Sequence, residues 1–249
     1  MQRTVAARLV SLSSIVGLWV VASMLTADAA VLPAPWALLG PLVREIGSGE
    51  LLFHLWCTLV RVAWAFVLAM SIGVATGYLM GTNSRLDVWL DPWLTVFLNL
   101  PALVLIVLCY LWIGLNETAA ILAVTLNKIP NVVTVIREGG RSLDPELSAM
   151  ARVYRMSRLS QLRHVVLPQL APYIAAAARG GVAVIWKIVL VVEFLGRSNG
   201  VGFKIHLYFQ LFDVRMVLIY ALSFVAVMLL AEAAVLQPWE ARVRRWRTA

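Results

Sequence analysis

The sequence predicts an all-α integral membrane protein of about six transmembrane helices, and three observations lead there. Of the 249 residues, 61% are apolar and only 14% charged, and the mean hydropathy is +0.86. That is more apolar surface than a soluble domain of this length can hide. Six apolar stretches, at 9–26, 55–80, 89–113, 117–136, 174–195 and 216–236, approach or exceed the roughly 20 residues needed to cross a bilayer. Finally, Lys and Arg are distributed unequally between the two sides that these stretches define.

The stretch 9–26 follows Arg3 and Arg8 and precedes Ala27-Asp28-Ala29-Ala30, so it imitates a secretory signal peptide. Its apolar run of about 18 residues exceeds the roughly 7–15 of a signal core, and it is read as a retained helix. Leu32-Pro33-Ala34-Pro35-Trp36 then reads as a turn. A short amphipathic helix follows and ends at Gly47-Ser48-Gly49, suited to lying on a membrane surface. The second stretch carries Gly73, Gly77 and Gly81 at four-residue spacing, which puts three positions without side chains on one face for close helix packing. In the third, Asn99 and Pro101 predict a local break whose freed carbonyls need a partner. The fourth contains Asn127, Lys128, Pro130 and Asn131, a polar and kinked passage near mid-span. Cys57 and Cys109 have no ligand or redox spacing and read as small buried hydrophobes.

Assigning cations to alternate sides places thirteen of the 21 Lys and Arg residues together: Arg3, Arg8, Arg85, Arg137, Arg141, Arg152, Arg155, Arg158, Arg163, Arg242, Arg244, Arg245 and Arg247. The positive-inside rule makes that side cytoplasmic, with both termini inside. The net charge of +8 is therefore a topological signal, and nucleic acid is not an expected partner. Residues 1–249 are read as one membrane domain, with the long cytoplasmic stretch 137–173 as its main elaboration.

That stretch is patterned. Asp144-Pro145-Glu146 is a helix start, with a capping side chain, a proline at the first position and an acid at the positive dipole end. Leu147, Met150, Ala151 and Tyr154 follow at helical spacing. Ser157 reads as a second cap before Leu159, Leu162 and Val166, and Leu167-Pro168 as a stop. Two Arg-rich amphipathic helices of this kind suit either an anionic lipid surface or a docked protein.

The text of this region resembles the permease subunits of bacterial ABC importers of the nitrate, sulfonate and taurine group. The resemblance rests on Ser142-Leu143-Asp144-Pro145-Glu146-Leu147, Ala149-Met150-Ala151-Arg152, Ser157-Arg158, Arg163-His164-Val165-Val166-Leu167-Pro168, Ala171-Pro172-Tyr173-Ile174, Glu193-Phe194-Leu195-Gly196 and Gly200-Val201-Gly202. It continues more loosely through Leu32-Pro33, the three glycines, Asp91-Pro92, Pro101 and Pro130. It implies a type I importer permease fold in the bacterial inner membrane, whose cytoplasmic EAA loop, here about 146–166, docks on an ATPase. The residues so implied are Glu146, Met150, Ala151, Tyr154, Arg155, Ser157, Arg158, Leu159, Leu162, Arg163 and Pro168. Implied partners are a second copy of the permease, two cytoplasmic ATPases and a periplasmic substrate-binding protein. Ala149 stands where the family commonly has Glu, and Arg155 where it has the turn glycine. Loss of that glycine predicts a different backbone at the turn, because other residues resist positive φ.

The chain has no G-x-x-x-x-G-K-[ST], and Gly200-Val201-Gly202-Phe203-Lys204 lacks its length and its final Ser or Thr. ATP and Mg are thus the business of a separate subunit, and no cofactor is expected here. Charges within spans are costly and mark candidate pathway residues. Lys128 and Lys187 either form a positive constriction for a small anion or pair structurally with carboxylates or freed carbonyls. Glu193 closes a gate, pairs across a dimer, or anchors an interface. Trp186 offers a stacking surface or plain packing, and Asn127 and Asn131 contact solute or bridge helices. Arg61 and Arg179 read as snorkelling near span ends. A stand-alone ion-coupled carrier would use Lys128, Lys187 and Glu193 as its relay, but no inverted repeat is found. A membrane enzyme lacks a metal cluster, since His54, His164 and His206 lie far apart, and lacks a nucleophile beside a base.

Overall fold

The computed structural model describes residues 2–26, 28 and 30–236, and the secondary structure among them is entirely helical. Helix α1 spans Gln2–Thr26, and a 3₁₀ turn at Pro35–Leu38 leads into α2, Leu39–Gly47. Gly49, at φ 80°, leads the chain into α3, Glu50–Thr82. Then come α4, Ser84–Asn99; α5, Ala102–Ile113; and α6, Glu117–Arg141. The loop helices are α7, Pro145–Val153, and α8, Arg158–Gln161. The chain finishes with α9, Leu167–Gly196; α10, Val201–Gln210; and α11, Val214–Ala231. The basic residues Arg242, Arg244, Arg245 and Arg247, with Ala27 and Ala29, lie outside the described residues.

Four helical runs among the described residues are long and apolar enough to cross a membrane: Glu50–Thr82, Glu117–Arg141, Arg158–Gly196 and Val214–Ala234. The third expected span is a pair, α4 and α5, bent by 99°. Pro101 explains the bend, because it forces the preceding Leu100 into extended backbone at ψ 124°. Counting the bent pair as one span gives five, and the apolar part of α1, Ser13–Thr26, is shorter than the other runs. Pro130 lies inside α6, which runs through it without a break. Leu167-Pro168 does not stop the chain either. A π-helical turn at Leu162–Val166 joins α8 to α9 without a gap, its last bond running from Leu167 N to Leu162 O just before Pro168, which has no N–H to donate. Gln169 Nε2 donates to Val165 O at 2.9 Å, satisfying one carbonyl there.

Helix α6 is the central post, packed against both α3 and α9. The approach of α3 is set by its glycines. A methyl on Gly73 would stand 2.6 Å from Val132 Cβ, one on Gly77 2.8 Å from both Ile136 Cβ and Val133 O, and one on Gly81 2.6 Å from Arg137 O. Val132 and Ile136 form a small buried cluster with Ala177 at this contact, and Ile106, Ala120, Val124, Ile185, Val189, Val192 and Tyr220 belong to the main core. Tyr220 OH donates to Glu45 Oε2 at 2.5 Å and ties α11 to the surface helix α2. Trp56, Trp64, Trp89, Trp93 and Trp112 remain exposed, as expected of helices whose outer faces meet lipid or partners.

Candidate functional site

At one end of the bundle, where α6 finishes, the 142–166 loop forms a capped helix pair. Asp144 accepts from Glu146 N at 2.7 Å and opens α7; Ser157 Oγ accepts from Ser160 N at 3.2 Å and opens α8. Between them Met156 N donates to Ala151 O at 2.9 Å and Arg155 N to Arg152 O at 3.0 Å. These are the two bonds of a Schellman turn, whose left-handed position usually belongs to glycine. Arg155 occupies it at φ 50°. The expectation of an altered turn is thus corrected: the left-handed geometry is kept and a non-glycine residue bears its strain, because both carbonyl partners hold the backbone there.

The pair is anchored from below. Ser142 Oγ donates to Tyr173 OH at 2.8 Å, and Asp144 N to Gln169 Oε1 at 2.9 Å. Asp87 Oδ1 and Oδ2 engage Arg137 Nε at 2.5 Å and Arg141 at 2.6 Å, while Asp91 takes a second bond from Arg137 at 2.6 Å, clamping α4 to the end of α6. Glu146, Met150, Tyr154, Arg155, Ser157, Arg158, Leu159, Leu162, Arg163 and Pro168 are all exposed. Val153, Tyr154 and Leu159 are 80%, 76% and 74% exposed, a costly apolar display for an unpartnered surface. Ala151 differs from the other loop candidates: it is buried against its own chain and offers no surface to a partner.

The opposite end carries a part-buried ion network that reverses the reading of Arg61. Rather than snorkelling, its guanidinium is enclosed. Arg61 Nη1 donates to Glu193 Oε1 at 2.6 Å and to Asn199 O at 3.0 Å, Nε donates to Glu117 Oε1 at 2.5 Å, and Nη2 reaches Glu117 Oε2 and Asn199 Oδ1. Arg197 closes the ring on Glu117 Oε2 at 2.8 Å. Glu193, fully buried, lines none of the cavities described below. Its Oε2 accepts from Thr58 Oγ1 at 2.9 Å and from Gly202 N at 2.8 Å, while Val201 N donates to Thr58 Oγ1 and Gly200 N to His54 Nδ1, both at 2.9 Å. The first N–H groups of α10 are therefore capped by side chains of α3 and α9, with the carboxylate at the positive end of the helix dipole. Gly200 and Gly202 are obligatory, since methyls there would lie 2.3 Å from Glu193 Cδ and from Leu190 O. In α10, burial pushes the Tyr208 phenol above its usual value, reinforced by Glu45.

Arg61 was readable from the chain. Counting back by fours from Gly81, Gly77 and Gly73 gives Ala69, Ala65 and Arg61, the buried stripe of α3.

The mid-span candidates separate. Lys187 is exposed and lines an open groove of about 700 Å³ with Arg179, Trp186, Phe224 and Glu232. Trp186 is buried, crosses Phe224 edge-on at 5.8 Å between centroids, and also lines an open apolar groove of about 400 Å³ between α3 and α9. Lys128 is buried where α3, α6 and α9 meet, and Asn127 beside it is half-buried. No cluster of three or more His, Cys, Asp or Glu placed to hold a metal occurs among the described residues.

Comparison with known proteins adds three kinds of likeness. The family model described as binding-protein-dependent transport system inner membrane component matches residues 69–237. A permease protein named for aliphatic sulfonate transport, SsuC of Bacillus subtilis, is 32% identical over 77% of this chain and 70% of its own. The taurine transport system permease protein TauC of Escherichia coli is 28% identical over 75% and 70%, and the bicarbonate transport system permease protein CmpB of Synechococcus elongatus 31% over 68% and 61%. Among solved structures, an inward-facing conformation of the MetNI methionine ABC transporter aligns with a TM-score of 0.66 at 18% identity, covering 81% of this chain and 98% of that one. That likeness is one of fold.

Proposed function

This chain belongs to the binding-protein-dependent transport system inner membrane components, and on that premise we propose that it forms the translocation pathway for a small organic or inorganic anion. As the permease of a binding-protein-dependent ABC importer it is a transport component and not itself catalytic; ATP is used by a separate ATPase. The relatives named for sulfonates, taurine and bicarbonate all point to solutes bearing a negative group. The observation that supports the anionic reading is exposed Lys187, which lines an open groove together with Arg179, Trp186 and Glu232. A lysine ammonium on such a groove raises the local concentration of an anion and offsets part of its cost of dehydration.

The remaining parts of the proposal are as follows. The Arg-rich 142–166 end faces the cytoplasm, with both termini on that side, and its exposed Val153, Tyr154 and Leu159 fill a groove on the ATPase. The clamp of Asp87, Asp91, Arg137 and Arg141 transmits movement of that loop into α4 and α6. A second copy of the chain completes the pathway, with Lys187 and Asn127 among the residues lining it. The periplasmic binding protein meets the end that carries Arg61, Glu117 and Arg197.

Reconstitution tests this. Vesicles holding the chain with its ATPase and binding protein should accumulate labelled ethanesulfonate or bicarbonate in step with ATP hydrolysis, and Lys187→Ala should lower the maximal rate without releasing the ATPase. Transport restricted to neutral solutes, or unaltered by Lys187→Ala, would overturn the anionic pathway.

A further inference from the structure

We propose that His54 is a proton-sensitive latch that seats α10 on α3, so that acid at the end of the bundle carrying Arg61 loosens α10 and slows transport. The leading amides of α10 run to three acceptors in turn. Gly200 N donates to His54 Nδ1 at 2.9 Å, Val201 N to Thr58 Oγ1 at 2.9 Å and Gly202 N to Glu193 Oε2 at 2.8 Å. A backbone N–H can only donate, so the Nδ1 that receives it carries no proton and the imidazole keeps its hydrogen on Nε2. The ring is buried, at 4% exposure. Of the three acceptors, the imidazole is the one whose ordinary protonation falls between about pH 5 and 8.

The groups around the ring decide which of its forms α10 tolerates. On α3, Glu50 Oε2 lies 3.4 Å from Nε2, but the same oxygen already takes the Lys204 ammonium of α10 at 2.9 Å. On α11, Tyr220 meets the ring edge-on at 6.3 Å between centroids, and its hydroxyl engages Glu45 of α2. On α9, Glu193 is held by Arg61 of α3 at 2.6 Å. Phe53 and Phe203, also against the ring, are uncharged. Glu50 and Glu45 favour an imidazolium, yet both carboxylates are already engaged. Against it stand the Lys204 charge, the positive end of the α10 dipole and the lost acceptor, since a proton on Nδ1 sets N–H against N–H in a buried site. A direct clash at 2.9 Å outweighs a 3.4 Å contact with a shared oxygen. Gly200 also packs so closely on Glu193 that a methyl there would lie 2.3 Å from Cδ, so lifting Gly200 disturbs the acceptor of the Gly202 amide. The stability supplied by the His54 bond is complete above the ordinary imidazole value of about 6.5. It is lost as pH falls below that value, because the unfolded chain then binds a proton that the seated helix refuses. The consequence for transport rests on the reading above that this end meets the binding protein.

The test compares the wild type with His54→Asn, whose side-chain oxygen keeps an acceptor near the Nδ1 position and takes no proton, each as the full permease purified with its ATPase. Between about pH 7.5 and 5.5 the wild type should lose about 2–4 °C more in melting temperature than the variant, the weight of one hydrogen bond in a chain of this size. Exchange of the Gly200 amide, corrected for its intrinsic pH dependence, should quicken by up to about tenfold in the wild type over that range and stay level in the variant. In vesicles with the binding protein, uptake of labelled ethanesulfonate, whose charge is constant over that range, should fall at least about threefold when the binding-protein side is acidified, and less in His54→Asn. Parallel melting profiles in the two proteins would overturn the latch, and so would uptake that falls equally in both. A response confined to acid on the ATPase side would keep the latch and overturn the assignment of this end to the binding protein. Should ethanesulfonate not be carried at all, the anionic reading falls while the melting and exchange profiles still decide the latch.

Discussion

Glu193→Ala removes the carboxylate on which three helices converge. Glu193 accepts from Arg61 at 2.6 Å, Thr58 at 2.9 Å and the Gly202 amide at 2.8 Å, in a fully buried position. Breaking a buried ion pair by deleting one partner typically costs about 3–5 kcal/mol. The lower end applies here, because Arg61 keeps Glu117 at 2.5 Å and the orphaned groups reduce to the Gly202 N–H and part of the Thr58 hydroxyl. A loss of about 3 kcal/mol corresponds to a fall of about 6–12 °C in melting temperature for a chain of this size. Glu193→Gln should fall in between, at about 1–2 kcal/mol, since its amide keeps one acceptor oxygen but turns a second donor toward Arg61 or Gly202. Thermal unfolding in detergent, followed by tryptophan fluorescence, measures both. An alanine variant within about 1 kcal/mol of the wild type would refute the view that this carboxylate positions α10 against α3.

The other expectations concern packing and the loop. Gly77→Ala should destabilise by about 1–3 kcal/mol, because its methyl meets the Val133 carbonyl, which has nowhere to move; a neutral result in the same thermal assay would mean that α3 and α6 can separate. Arg155→Gly should stabilise the α7 to α8 turn by up to about 1 kcal/mol, since a side chain in left-handed backbone costs about 1–2 kcal/mol and added freedom in the unfolded chain takes part of it back. Hydrogen exchange of the Met156 amide should slow accordingly, and faster exchange would contradict the strain. Leu159→Asp lies on exposed surface and should leave the melting temperature within about 0.5 kcal/mol equivalent while abolishing co-purification of the ATPase; retained assembly would place the docking surface elsewhere.

Much of this was legible without coordinates, for identifiable reasons. Apolar run length and cation sidedness are one-dimensional quantities, so the membrane class follows from counting. The starts at Asp144 and Ser157 are local as well, because a cap needs only the next two or three amides. The four-residue glycine spacing marks a face of α3 but does not say what meets it; α6 does, through Val132, Ile136 and Gly140. The break at Pro101 was visible in the chain. The 99° between α4 and α5 was not, since that angle depends on what each helix packs against.

The sequence by itself determined which segments seek lipid, which end of the bundle is basic and where the loop helices begin, because hydropathy, charge and capping act over a few residues. Only the tertiary structure decided what the charges inside the membrane do. Arg61, Glu117, Glu193 and Arg197 are spread over more than 130 residues of chain yet satisfy one another, whereas Lys128 lies where three helices meet and has no hydrogen-bond or ion-pair partner among the described residues. A buried charge is stabilised or left wanting by whatever stands within about 3–4 Å of it, and that neighbourhood is set by packing and not by chain order.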